Sequence, residues 1–316
     1  MTLKQQKLIS AGLIALVVLA GFEALISIVN LNQLAIFWKT AFVIFIYLSL
    51  NISLLYDLHF KNPGALKRAA ARHESVSDWF YRGLRIVCSA FSERFSHLFK
   101  KHHFLQFSHY LILPGLIFWA SAALFYVNAD VVGHRFQQVF ALLSGLALVV
   151  GFWFLKEAFL RKTEKVEQDI FAALSAVKIY TSAIVFGAVL SLTRRYCLVP
   201  WYFTGAVFSM TFLLIYQALF QHQLVNLKNT ALAAGISALE AVLAYFVYIA
   251  WGHNYYTAAI VMAACYNFMW GTFHYYLDGT LTKKVFFEIL VICLLIVLML
   301  FSVTNFKAKI LNSCVY

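Results

Sequence analysis

The segment from Tyr266 to Lys284 reads YNFMWGTFHYYLDGTLTKK and carries a histidine and an aspartate four residues apart near the end of an apolar run. On a helix this spacing places His274 and Asp278 on one face, which Gly271 and Asn267 continue toward the middle of the run. An aspartate beside a histidine orients the imidazole and stabilises its charged form, so the pair suits a general base. The same side chains also suit a metal ion, because histidine and carboxylate are ligands of Fe, Zn and Mn.

Other polar side chains that could bind a ligand end other apolar runs at a similar depth. They are Asp57, His59, His109, Gln217, Gln221 and His222. If these runs converge laterally, a catalytic metal centre would use His59, His109, His222, His274 and Asp278. Two alternatives stay open: a metal-free acid/base or substrate-binding site, and structural residues whose polar tips reach the membrane interface.

Four further charges lie inside apolar runs. Glu23 and Lys39 flank a short turn, and an antiparallel hairpin would bring them level. Lys178 and Glu240 each fall about 15 Å along their runs at 1.5 Å per residue, near the middle of a membrane. A lone charge there costs about 3 kcal/mol on insertion scales, so we expect Lys178 and Glu240 to meet. They would form either a structural ion pair or a path for a substrate or proton.

The elements that position these residues are membrane-spanning helices. The chain has 316 residues, of which 63% are hydrophobic and 12% charged, too apolar for a soluble domain. Apolar runs long enough to cross a bilayer as helix recur, without the alternation of transmembrane strands. We therefore predict a single all-α integral membrane domain over 1–316. Its nine spans are 8–29, 34–55, 107–128, 137–158, 169–192, 201–221, 230–251, 257–277 and 285–304.

Basic residues predict the orientation of this bundle. With the N-terminus inside, 18 of the 25 Lys and Arg residues fall in cytoplasmic connections and five fall outside. The positive-inside rule therefore predicts a cytoplasmic N-terminus and an external C-terminus, in a bacterial inner membrane. The net charge of +12 then reflects topology and attraction to anionic lipid at the cytoplasmic face, and we expect no nucleic-acid partner.

The longest connection, 56–106, is cytoplasmic in this topology and contains an amphipathic pattern. Its apolar positions are Val76, Phe80, Leu84, Val87, Phe91, Phe95 and Leu98. With arginines and lysines on the other side, this spacing predicts a helix that lies on the inner leaflet or packs as a lid under the bundle.

The five cysteines show no paired spacing typical of a metal or redox motif. Cys265 and Cys293 fall in spans, where we expect small apolar fillers. Cys88 falls on the cytoplasmic side. Cys197 and Cys314 share the outer side, where a disulfide would need an oxidising compartment, and we expect free thiols.

Two short strings resemble known membrane proteins. HYYLDG, followed by Lys283, resembles an H-[HY]-x-x-D-[GA] segment of bacterial polytopic membrane proteins of no assigned activity, with Thr282 where a tryptophan is expected. NFMWGTFH is similar to part of the histidine region of membrane-bound O-acyltransferases, but Trp251-Gly252-His253 replaces the Trp-His-Gly of that family. Neither resemblance carries a reaction over to this chain.

Three functions remain after these observations. The first is an enzyme, metal-dependent or acid/base, that acts on a lipid-like substrate at the cytoplasmic face through His274 and Asp278. The second is a transporter or channel that uses Lys178 and Glu240, and the third is a membrane scaffold. Nucleotide use is not expected, because no glycine-rich phosphate loop occurs in a cytoplasmic connection. The oligomeric state stays open.

Overall fold

The computed structural model of the protein describes residues 3–31, 33–57, 101–128, 134–160, 168–221, 224–251 and 254–304. In these ranges the chain forms nine α-helices and no strand, which confirms the prediction of an all-α bundle. The helices are α1 (Leu3–Asn30), α2 (Leu34–Asp57), α3 (Lys101–Val127), α4 (His134–Leu160), α5 (Gln168–Arg195), α6 (Pro200–Gln221), α7 (Leu227–Ala250), α8 (Tyr255–Leu277) and α9 (Lys283–Val303).

The helices fit an integral membrane protein. Five of them contain a span long and apolar enough to cross a bilayer: α4, α5, α6, α7 and α9. Shorter apolar stretches occur in α1, α2 and α3. Each predicted span corresponds to one helix, although α3 begins at Lys101 and so takes up the end of the predicted connection 56–106. The amphipathic helix predicted within that connection lies outside the described residues.

The centre of the bundle is α5, which packs against α3, α4, α6 and α8. Its contact with α8 is close, because a Cβ placed on Gly187 would lie 3.3 Å from the Cβ of Ala259. In contrast, α9 packs mainly against α8. Only 6% of its apolar, membrane-spanning stretch is buried inside the bundle. Of the five long apolar helices, α5 is therefore the most buried, at 61%, and α9 is a peripheral helix.

The two ends of the bundle are named here after one residue each. At the Arg194 face, α3, α5 and α7 end together, as the contacts of Arg194 with Tyr248 and of Arg195 with Val127 show. The opposite end of the bundle is the His274 face, where α8 ends. Lys178 lies eleven residues into α5 and so belongs to the half of the bundle nearer the His274 face.

The predictions for the cysteines are confirmed for the two that lie in helices and wrong for Cys197. Cys265 in α8 and Cys293 in α9 are free thiols. Cys197, in the turn between α5 and α6, is disulfide-bonded, so the expectation of a free thiol there is wrong. The two remaining cysteines, Cys88 and Cys314, lie outside the described residues.

Candidate functional site

The candidate site lies along the last two turns of α8, which ends where the sequence predicts. Gly279 has a φ of +67°, a left-handed conformation that glycine adopts without strain. The Gly279 N–H donates to the carbonyl of Tyr276 at 3.2 Å and the Thr280 N–H donates to that of Tyr275 at 3.0 Å. These two bonds form a Schellman cap, which fixes Leu277 as the last residue of the helix and Asp278 as its C-cap.

His274 and Asp278 form the predicted pair at the end of α8. His274 Nδ1 lies 3.2 Å from Asp278 Oδ2, and the two side chains are 27% and 46% exposed. Because Nδ1 faces the carboxylate, Nε2 is the ring nitrogen suited to act as a base on a bound molecule. The pair is therefore preorganised for proton transfer and is accessible at the His274 face.

Trp270 connects this pair to the interior of the bundle. Its ring stacks with the His274 ring at a centroid distance of 5.6 Å. The Nζ atom of Lys178 lies 5.3 Å from the centroid of Trp270, within range of a cation–π contact. Lys178 and Trp270 are 4% and 6% exposed. A continuous set of side chains thus runs from a buried lysine on α5 to the exposed Asp278.

A spacing pattern in the sequence indicates that Trp270 lies on the same helix face as His274 and Asp278. Tyr266, Trp270, His274 and Asp278 follow one another at intervals of four, which align on one helix face. The prediction followed Gly271 and Asn267 instead, but Gly271 faces α9, since a Cβ there would lie 3.5 Å from Ile289. The lateral approach of Lys178 had no signal in the sequence.

Glu240 occupies a separate buried position on α7. Its side chain is 0% exposed, and among the described residues neither carboxyl oxygen has a hydrogen-bond partner. It interacts electrostatically with Cys293, Cys265 and Tyr266. The predicted ion pair with Lys178 does not form in the described part of the chain.

Glu23 and Lys39 are the other pair of charges predicted to lie level inside spans, and they do not contact each other in the described ranges either. Gln138 Nε2 donates a hydrogen bond of 2.9 Å to Glu23 Oε2, which links α1 to α4. Lys39 is exposed on α2. No ion pair joins Glu23 and Lys39 in the described ranges, so these charges do not form a second buried site.

His109 belongs to a different contact from His274. Its ring stacks on Phe220 at 3.8 Å and lies 5.3 Å from the ring of Tyr216. Gln217 Nε2 donates to the backbone carbonyl of His109 at 3.0 Å, so these residues of α3 and α6 do meet, as their depth predicts. The described ring contacts do not join His109 to His274.

The predicted metal centre gains no support from this geometry. No group of three His, Cys, Asp or Glu side chains among the described residues is placed to hold a metal ion. His59 and His222 lie outside the described residues. The arrangement in the described ranges suits acid/base chemistry by His274 and Asp278.

Two arginines, which the sequence predicts only as charges on the external side, form a second polar site. Arg194 Nη2 donates to the Tyr248 carbonyl at 2.7 Å, and its guanidinium lies 3.8 Å from the Tyr248 ring centroid. Arg195 Nη1 donates to the Val127 carbonyl at 2.8 Å. Both cations lie where helices end, and there they complement the partial negative charge of the last carbonyls.

Fold and site together define a multi-pass helical membrane protein with a histidine–aspartate pair at one end and ionisable side chains buried among its helices. No protein family model, curated protein or solved structure matches this chain.

Proposed function

We propose that this protein is a membrane enzyme whose His274–Asp278 pair acts as a general base on a lipid-like substrate. The observation that carries the proposal is the 3.2 Å contact between the two side chains at an accessible helix end. A preorganised base at the membrane surface reaches groups in the headgroup region of a lipid, while the lipid tail stays in the bilayer. The amino group of Lys178 lies behind Trp270, on the buried side of the pair.

The proposal includes the orientation of the protein in its membrane. The distribution of basic residues, 18 against five, favours a cytoplasmic His274 face and N-terminus and an external C-terminus. In a bacterial inner membrane, the site would then lie at the cytoplasmic leaflet, where anionic lipids are attracted by the same basic residues.

The test is a lipid conversion assay with matched ion-pair variants. Purified protein is reconstituted into liposomes of total bacterial polar lipid, and the lipid species are followed by mass spectrometry. We expect His274→Gln and Asp278→Asn to slow the conversion by about 100-fold or more, the usual effect of losing a general base. Glu288→Gln is the control, because Glu288 forms an exposed i,i+4 pair with Lys284 at 3.9 Å on the neighbouring helix.

Two results would contradict the enzyme proposal. Either the wild-type protein leaves every lipid species unchanged, or the control variant loses as much activity as His274→Gln. In the first case the pair has no catalytic role on these lipids, and in the second the effect belongs to surface charge.

Transport is the second candidate function, and the buried carboxyl of Glu240 favours it. A carboxyl that is 0% exposed inside a membrane protein is a common feature of proton and ion pathways. Proton flux into liposomes under a membrane potential would distinguish the two functions. A transporter would show flux that Glu240→Gln removes and His274→Gln leaves intact, whereas the enzyme would show the reverse dependence in the lipid assay.

A further inference from the structure

The turn between α5 and α6 carries a cysteine in an unusual backbone conformation. Cys197 is exposed at the Arg194 face and has a φ of +52°, in the left-handed region that glycine adopts without strain. Its N–H donates to the Arg194 carbonyl at 3.3 Å, and the Leu198 N–H donates to that of Thr193 at 2.9 Å. Glycine usually fills this position of a helix cap, so a need for the sulfur explains why a cysteine stands there.

The sulfur of Cys197 is in a disulfide, and counting the cysteines limits its partner to two residues. The sequence has five cysteines, of which Cys265 and Cys293 are free thiols. A bond within this chain therefore joins Cys197 to Cys88 or to Cys314. The position of the helices decides between these two.

Cys88 belongs to the connection between α2 and α3, which leaves and re-enters the bundle at the His274 face. The other ends of these two helices lie together at the Arg194 face, since the rings of Phe37 and Tyr126 are 5.7 Å apart. The 27 residues of α3 span about 40 Å. Cys88 lies thirteen residues before Lys101, and as a helix these would span only about 20 Å. An extended chain in the hydrocarbon core would leave its backbone polar groups without partners. This topology therefore excludes Cys88.

Cys314 follows α9, which ends at the Arg194 face. The Trp251 indole N–H donates to Thr304 Oγ1 at 3.3 Å. Trp251 is the C-cap of α7 and lies one turn after Tyr248, whose carbonyl and ring contact Arg194. The ten residues from Thr304 to Cys314 reach about 33 Å when extended. The few side chains between Thr304 and the end of α5 are well within that reach.

We propose that the C-terminal segment 305–316 folds back over the Arg194 face and is held there by a disulfide between Cys314 and Cys197. When this bond forms, two S–H bonds break and one S–S bond takes their place. The two electrons and two protons reduce the disulfide of a thiol-oxidising protein to a dithiol. Such proteins act outside the cytoplasm, so the proposal also places the Arg194 face on the external side of the membrane.

The bond gives the peripheral helix α9 a second attachment to the bundle. This helix packs mainly against α8, and only 6% of its apolar stretch is buried. A bond from Cys314 to Cys197 would link the chain after α9 to the end of α5, the central helix. It would also close a loop that contains α6, α7, α8 and α9, which restricts the unfolded chain and so favours the folded one. The inference does not depend on a reaction at His274, at the other end of the bundle.

The experiment locates the disulfide in the full-length protein as it exists in cells. Intact bacteria that express the protein are treated with N-ethylmaleimide before lysis, so that free thiols are blocked and no bond forms during purification. Peptide mass spectrometry without reduction then identifies the residues that are bonded and those that are alkylated. A non-reducing gel shows whether the bond lies within one chain or between two copies.

We expect a monomer that contains a Cys197–Cys314 bond and an alkylated Cys88. Cys88→Ser is the matched control and should keep the bond, whereas Cys314→Ser should leave Cys197 alkylated. Thermal unfolding in detergent measures the attachment of α9. The midpoint temperature of Cys314→Ser should be lower than that of Cys88→Ser, because only the first variant loses the closed loop.

Four results would overturn the proposal. A bond between Cys197 and Cys88 would show that the long connection reaches the Arg194 face. An alkylated Cys197 in the wild-type protein would show that no bond forms there, and a disulfide-linked dimer would show that the partner lies on a second copy. Equal midpoint temperatures of the two variants would show that the bond does not stabilise the attachment of α9.

Discussion

At the scale of single residues, Trp270 is the side chain on which the candidate site depends. It contacts His274 on its own helix and Lys178 on α5. An aromatic ring buried between a cation and an imidazole limits the positions of both, since each contact has a preferred geometry. Trp270 is therefore expected to position His274 as well as to stabilise the α5–α8 contact.

Replacing Trp270 tests that role. We expect Trp270→Leu to lower the free energy of unfolding by about 2–4 kcal/mol, because a large buried ring is truncated and the cation–π contact is lost. Trp201→Leu is the matched control, since Trp201 is 70% exposed. Thermal unfolding in detergent measures both variants. Equal losses would show that Trp270 has no special contact.

Lys178 and Glu240 give a second residue-scale prediction, which reverses the expectation from sequence. Lys178 contacts Trp270 on α8, while Glu240 is fully buried on α7 and forms no ion pair with Lys178 in the described ranges. Groups that do not contact each other usually have additive effects on stability, within about 0.5 kcal/mol. The stability changes of Lys178→Met and Glu240→Gln should therefore add in the double variant. A double variant markedly more stable than the more damaged single variant would show that the two charges meet after all.

The site could be predicted from sequence only along one helix. The pairing of His274 with Asp278 followed from their spacing on α8, because residues four apart share a face whatever surrounds the helix. The partners of Lys178, Glu240 and His109 lie on other helices. Apolar periodicity is weak in spans that are apolar all round, so it does not tell which face of α5 or α7 turns toward α8.

At the scale of helices, the shared end of α3, α5 and α7 depends on two arginines. Each donates to a carbonyl near the end of a neighbouring helix, at 2.7 Å for Arg194 and 2.8 Å for Arg195. Hydrogen bonds from a charged group contribute about 1.5–3 kcal/mol each. We expect Arg194→Met to lower the free energy of unfolding by that amount.

A matched substitution separates the bonds of Arg194 from general charge. Arg135 is exposed near the start of α4, so Arg135→Met should change stability by less than about 0.5 kcal/mol. Chemical denaturation in mixed micelles compares the two. If both variants lose the same stability, the contribution of Arg194 is net charge, not its bonds to helix ends.

The close approach of α5 and α8 gives another helix-scale prediction. A side chain at Gly187 would meet Ala259, whereas a Cβ at Gly235 has no heavy atom within 4 Å. Overpacking a close contact costs about 1–3 kcal/mol. Gly187→Leu should destabilise the protein by at least that amount and Gly235→Leu should leave it nearly unchanged, as measured by thermal unfolding. A harmless Gly187→Leu would show that the two helices separate easily.

The helices themselves were predictable because hydropathy alone identifies long apolar runs. The described helices begin and end within a few residues of most predicted spans, and α3 differs most, with six additional residues at its start. These residues, KHHFLQ, are polar enough to fall outside a hydropathy window although the backbone stays helical. The order of packing around α5 needed the structure, because helix neighbours depend on side-chain fit.

At the scale of the whole molecule, reporter fusions test the proposed orientation of the bundle. The proposed topology places the C-terminus outside and the connection after Asp57 inside. We expect alkaline phosphatase fused after Tyr316 to be active, because this enzyme folds only in an oxidising compartment. The same enzyme fused after Asp57 should be inactive. An inactive fusion at Tyr316, expressed at the same level, would contradict the topology.

The peripheral position of α9 has a consequence for how this protein varies among related organisms. This helix has the highest mean hydropathy of the five apolar spans, 3.0, and the smallest buried share, 6%. Most of its side chains are exposed and in a bilayer would meet lipid, which does not distinguish leucine from isoleucine, valine or phenylalanine. Natural variants should therefore exchange these residues freely over α9. Only the narrow contact with α8, which includes Ile289 and Cys293, should keep its residues. We therefore expect the sequence of α9 to differ more between related proteins than the sequences of the other helices.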